Sequence, residues 1–192
     1  MNPPPNKARG RRTLLLLALV ALAPIAASYI AFYWLVPTRR LNYGELLATA
    51  QAPPLTGIAL DGAPFALMEL RGKWVLLIVS GADCAAACEK ALYATRQART
   101  IQGREQDRVV RALLQPTGAS APPPGLLTGH PGLLTARVDP GALAQLPLPV
   151  PDVTTIILID PRGNLVLRYG ADPDIKRVAN DLGRLLRTSQ IG

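Results

Sequence analysis

Cys84 and Cys88 are the only cysteines of the chain, and three alanines separate them in the stretch SGADCAAACEKALY. A thiolate attacks disulfides and binds soft metals, so such a pair can cycle between dithiol and disulfide or hold Cu(I) between two sulfurs. Residues four apart share one face of a helix, so both sulfurs are expected to converge on one open, water-accessible spot. The first turn of a helix is electropositive and favours the thiolate, while Asp83 next door opposes it. A structural staple is the plain alternative, but a bridge closing so short a loop removes little entropy from the unfolded chain. Cys84 and Cys88 are therefore the expected catalytic or metal-binding residues. Tetrahedral zinc is disfavoured because the chain offers few further ligands, His130 being the only histidine.

What such a pair does depends on its compartment, and the N-terminus speaks to that. Lys7, Arg9, Arg11 and Arg12 precede an apolar run, residues 13–36, that contains no charged side chain. As a helix it measures about 36 Å, enough to cross a hydrocarbon core of about 30 Å. Tyr29, Phe32, Tyr33 and Trp34 at its far end match an interfacial aromatic belt. Ala26-Ala27-Ser28 loosely resembles a signal-peptide cleavage site, yet the apolar run continues for eight residues beyond it. We therefore read an uncleaved single-pass anchor. Residues 1–12 form a basic cytoplasmic N-terminus, 13–36 the transmembrane helix, 37–54 a linker and 55–192 an outer domain. By the positive-inside rule that domain lies in a bacterial periplasm, where disulfides persist.

The chain carries 21 Lys and Arg against 13 Asp and Glu, and four of the cations belong to the topology signal. No basic stripe interleaved with aromatics appears, so no nucleic-acid partner is expected. Arg96, Arg99 and Arg104 read as a solvated helix face, with contact to a partner protein as the alternative.

The elements that must position the thiols follow from pattern. Residues 41–50 read as a short helix or tether. Residues 55–60 and 64–67 read as a hairpin turning at Asp61-Gly62, a type I′ dipeptide. Residues 74–79 are a strand buried on both faces. Asp83 is the expected N-cap of a helix that runs to Ile101 and stops at Gly103. Residues 108–114 form a strand, 115–131 a long loop, and 139–146 a short helix with Pro140 in its first turn. Residues 154–159 and 165–169 are strands joined by the turn 160–164. The final helix starts at Asp172-Pro173, with Ile175, Val178, Leu182, Leu185 and Leu186 at helical spacing. This order gives an α/β fold of thioredoxin-like arrangement, with both cysteines at the first strand-to-helix junction.

At these residues the chain resembles the Sco/SenC proteins. The resemblance rests on Lys73-Trp74-Val75-Leu76-Leu77, the C-x-x-x-C of Cys84 and Cys88, and residues 158–164, LIDPRGN. It covers roughly residues 55–187. That family comprises membrane-anchored, thioredoxin-fold factors that assemble the copper centre of cytochrome c oxidase. The resemblance implies copper as the metal, Cys84 and Cys88 as copper or redox thiols, and the copper-binding subunit of a respiratory oxidase as the partner. It also implies a histidine ahead of the second buried strand, where this chain has Asp152. His130 stands more than twenty residues earlier; we read it as an exposed loop histidine, with approach to the sulfurs as a third ligand the alternative. Met68 reads as core. Without the family's histidine, Cu(I) binding or thiol exchange is favoured over a stable Cu(II) site. A general periplasmic thiol–disulfide oxidoreductase and a non-catalytic assembly scaffold remain the other readings.

Overall fold

The computed structural model describes residues 7–34, 42–150, 153–189 and 191. The chain divides into two compact units, Met1–Leu41 and Asn42–Gly192. In the first, helix α1 (Lys7–Trp34) runs through Pro24 without a break. Its segment Gly10–Tyr33 has a mean hydropathy of 2.4, is long and apolar enough to cross a membrane, and is exposed at every position.

The second unit is built on an eight-stranded sheet. Its strands are β1 (Glu45–Gln51), β2 (Thr56–Ala59), β3 (Pro64–Ala66), β4 (Trp74–Val79), β5 (Val109–Pro116), β6 (Leu133–Val138), β7 (Thr155–Ile159) and β8 (Asn164–Tyr169). They lie in the order β1-β8-β7-β4-β5-β6-β2-β3. Strands β4, β5 and β6 are parallel, while β7, β8 and β1 continue the sheet antiparallel on one side and β2 and β3 on the other. Every residue of β4 is buried, as its unbroken apolar run requires of a strand covered on both faces.

Helices α2 (Ala86–Thr100) and α5 (Ile175–Thr188) pack against each other. Their buried residues form one core with Trp74, Leu76, Ile78, Leu113, Ile156 and Leu158. The opposite face of the sheet forms a second core with the hairpin, Leu143 of helix α4 (Pro140–Leu143) and Leu146. Alternation along β4 divides Trp74, Leu76 and Ile78 from Val75, Leu77 and Val79, one set to each core. Asp139 caps α4 by accepting from the Ala142 N–H, and Asp174 caps α5 by accepting from the Arg177 N–H.

Several expectations are corrected. The helix or tether expected over residues 41–50 is not what the described residues form: residues 45–50 belong to β1, which pairs with β8 and is held by a 2.7 Å ion pair between Glu45 and Arg168. The linker read as 37–54 therefore cannot extend past the start of this sheet strand. The hairpin forms, but through a three-residue loop. The Ala59 carbonyl accepts from Gly62 N–H and the Ala59 N–H donates to Ala63, with Gly62 at φ 87°. That is a type I turn closed by a left-handed glycine, which needs one residue more than a type I′ turn. Within residues 115–131 lies a short helix, α3 (Pro124–Thr128), and β6 follows where no strand was expected. Helix α5 begins after Asp174 rather than at Asp172.

Candidate functional site

The thiol site sits where β4 hands over to α2. Beyond Val79 the chain stays beside β5 for one more residue, through a 3.0 Å bond from Ser80 N–H to the Leu114 carbonyl. It then turns: the Ser80 hydroxyl donates to the Asp83 carbonyl at 3.4 Å, and the Ala82 carbonyl accepts from Ser120 N–H at 3.0 Å. The second bond ties the cysteine turn to the loop after β5. Ala85 is the N-cap of α2 and supplies no side-chain acceptor, so Asp83 is not the cap. Its carboxylate lies two residues too early to reach the first-turn N–H groups, which leaves them free of a side-chain partner.

Cys84 precedes the helix and Cys88 lies in its first turn. Their sulfurs are joined in a disulfide, with the Cα atoms 5.0 Å apart. The expected convergence is met, but the expected openness is not. Cys88 is fully buried and Cys84 keeps only 9% of its surface exposed, both within the core under α2. An exposed rim of Ala82, Asp83, Ala85, Ala86 and Ala87 surrounds them. Small alanine side chains let the turn close over the bond, leaving Cys84 as the single edge a reagent can reach.

His130 is not brought to this site. Parallel registers place Leu76 beside Arg111 and Arg111 beside Leu133, so the turn before β6 lies at the end of the sheet opposite the cysteines. The Arg96 guanidinium donates to the Gly129 carbonyl, and Arg96 stands two turns, about 12 Å, along α2 from Cys88. Nor is His130 an exposed loop histidine: it is buried, with Nδ1 3.4 Å from a terminal nitrogen of Arg111. Arg111 is itself buried and donates to the Pro131 carbonyl at 3.0 Å. Burial, and then the charges of Arg111 and Arg96, lower the His130 pKa. Burial, followed by Arg99 and Arg96, pushes Arg111 down to about 10, which leaves it charged at neutral pH.

Asp152 lies outside the described residues. Met68 is half exposed in the 3₁₀ turn Leu67–Leu70, not core. Arg99 is committed within the fold, donating to the Val109 carbonyl at 2.7 Å, with Asp107 at 3.6 Å. Arg96 also lies over the Tyr93 ring. Only Arg104 stands exposed, in the 3₁₀ segment Gly103–Arg108 beyond the helix.

Among the described residues no group of three or more His, Cys, Asp or Glu side chains is placed to hold a metal ion. The donor set fits two-coordinate Cu(I) once the cysteines are reduced to thiolates. It does not fit Cu(II), which prefers added nitrogen ligands.

Residues 74–189 match the family model described as "Transmembrane-like, thioredoxin-like, C-terminal domain". The chain belongs to that family. Its thioredoxin-like unit resembles the copper-bound crystal structure of yeast Sco1 with a TM-score of 0.61 at 17% identity, over 74% of this chain and 96% of the yeast one. The copper-bound ScoI of Arabidopsis thaliana gives 0.57 at 17% identity, over 73% and 100%. The thioredoxin domain of a thiol-disulfide oxidoreductase from Bacteroides vulgatus gives 0.51 at 19%, over 73% and 99%. No curated protein sequence matches the chain. At these identities the likeness is one of fold, and in fold the resemblance to Sco proteins holds.

Proposed function

We propose that this protein is a membrane-anchored, Sco-like assembly factor of a respiratory oxidase whose Cys84–Cys88 pair exchanges between disulfide and dithiol. Residues 1–12 lie in the cytoplasm, 13–36 cross the bacterial inner membrane, and the thioredoxin-like unit faces the periplasm. In reduced form the two thiolates either carry Cu(I) as cargo or reduce the cysteines of the oxidase copper site.

The observation that supports this reading is the unequal burial of the two bonded sulfurs. A thiolate arriving from outside meets Cys84 and not Cys88. It forms a new bond to the Cys84 sulfur, the Cys84–Cys88 bond breaks, and the electron pair stays on Cys88. In the reverse direction the Cys84 thiolate attacks a partner disulfide. Cys88 then resolves the mixed disulfide and releases the partner thiol. The likeness to copper-bound Sco structures and to a thiol-disulfide oxidoreductase supports both halves of the chemistry.

The test is a trap. Cys88→Ser should hold a mixed disulfide through Cys84 with the copper-binding subunit of the oxidase. If it instead captures many unrelated periplasmic proteins, a general oxidoreductase is the better description. That second reading is favoured by the absence, among the described residues, of a third ligand grouped with the sulfurs. If replacing both cysteines by serine leaves oxidase assembly unchanged, only a scaffold role survives.

A further inference from the structure

Polar side chains buried in a core are almost always paired. Among the described residues four buried side-chain nitrogen and oxygen atoms have no partner: Trp74 Nε1, both polar atoms of the Gln115 amide, and Arg137 Nε. Three of the four stand together, because Gln115 on β5 and Arg137 on β6 are register partners.

Strand alternation gives the face they occupy. Val109 and Leu113 belong to the core under α2, while Ala112 and Leu114 belong to the other. Gln115 therefore faces α2. Ala136 and Val138 belong to the far core, so Arg137 lies on the α2 side of the sheet as well. Ser80, the residue that leads into the cysteine turn, lies beside Gln115 on the third strand of this row.

Their height along the sheet is fixed by α2. The bond from Arg99 to the Val109 carbonyl pins the last turn of the helix over the first residue of β5. From Val109 to Gln115 the strand rises about 20 Å. From Arg99 back to Cys88 the helix rises about 16 Å in the same direction. The fully buried Gln115 thus lies at the level of Cys88, in a row of polar residues at the cysteine end of this sheet face.

We propose that Gln115 and Arg137 are positioning residues for the thiol pair, holding the Cys88 sulfur once the disulfide opens. This rests on the thiol-exchange reading above. When an incoming thiolate bonds to Cys84 and the electron pair passes to Cys88, that sulfur is sealed from water and needs donors. The Gln115 amide and Arg137 Nε–H supply them, and Gln115 Oε1 accepts from the thiol once it is protonated. In the disulfide these groups stay unpaired, in the dithiol they are paired, and the equilibrium moves toward reduction. A second thiolate completes the reaction by attacking the mixed disulfide, releasing Cys84 and forming the reductant's own disulfide.

The experiment uses the full chain in detergent micelles, equilibrated with reduced and oxidised glutathione, with thiols counted after alkylation. Gln115→Met and Arg137→Met should each lower the equilibrium constant for reduction about tenfold, which is about 30 mV. The thermal midpoint of oxidised Gln115→Met should hold or rise, because an unpaired amide has been replaced by an apolar isostere. Equilibrium constants within twofold of wild type in both variants overturn the proposal while leaving thiol exchange intact. So does an equal loss of thermal stability in both redox forms with no change in potential. If Gln115→Met fails to fold, Arg137→Met decides alone. A wild-type pair that neither glutathione nor dithiothreitol reduces sinks the thiol-exchange reading itself, and this inference with it.

Discussion

The carboxylate of Asp181, buried in α5, accepts hydrogen bonds from the main-chain nitrogens of Tyr43 and Gly44, each at 2.9 Å. The Tyr169 hydroxyl stands 3.4 Å from the same carboxylate, and burial, then the charge of Asp181, raises the Tyr169 pKa. A Cβ on Gly44 would lie 2.6 Å from the Tyr169 ring, so the chain passes close by as bare backbone. One acid thereby fixes the first residues of the thioredoxin-like unit to its last helix. Asp181→Ala leaves two main-chain donors unpaired and should cost about 2–3 kcal/mol of stability. Urea unfolding checks this. A loss below about 0.5 kcal/mol would show that water replaces the carboxylate without penalty.

Copper loading separates the redox forms. The dithiol form should bind one Cu(I) in competition with a chromophoric chelator, and the disulfide form none, because bonded sulfurs are not thiolates. His130→Ala should leave the affinity within about twofold, since the structure places His130 at the far end of the sheet. A strong thiolate-to-Cu(II) absorption that vanishes in His130→Ala would contradict that placement.

His130 should instead report on stability. Its folded-state pKa is lowered, so between the folded and unfolded values the unfolded chain binds more protons. Stability is then full above the unfolded pKa, about 6.5, and falls as the pH drops below it toward the folded value. Urea midpoints measured from about pH 7.5 to pH 5 should decline more steeply in wild type than in His130→Gln. Parallel curves would mean that His130 titrates as it does in the unfolded chain.

Much of this was legible in the sequence, and the failures have physical causes. Strands β4 and β7 are buried throughout, so their unbroken apolar runs showed them directly. Strand β1 was missed because it is an edge strand, exposed at nearly every position, and carries no alternation to read. Strand β6 does alternate, but its Gly- and Pro-rich approach looked like continuing loop. The position of the cysteine pair was legible, yet its closure was not, because that depends on how tightly three alanines let the turn fold down. Gln115 was assigned to the loop 115–131, whereas it lies within β5, which runs to Pro116; Arg111 lies in the same strand. Which face they took, and that nothing paired with Gln115, required the register. His130 was misread because Thr128-Gly129-His130-Pro131-Gly132 has the composition of an exposed turn, while its burial comes from Arg111 on the neighbouring strand.

The hairpin offers a final test, at the edge of the sheet away from the thiols. Gly57 of β2 pairs with Val138 of β6, and a Cβ built on it would fall 2.0 Å from the Arg137 carbonyl oxygen. That contact is backbone, so no side-chain rotation relieves it. Gly57→Ala must therefore push β2 away from β6 and weaken the burial of Phe65, Leu67 and Leu55 in the second core. The expected loss is about 1–3 kcal/mol. Hydrogen exchange should show faster opening of the residues 55–67 amides with α2 unaffected. Uniform loss of protection across the unit would mean that the hairpin and the thiol face unfold as one.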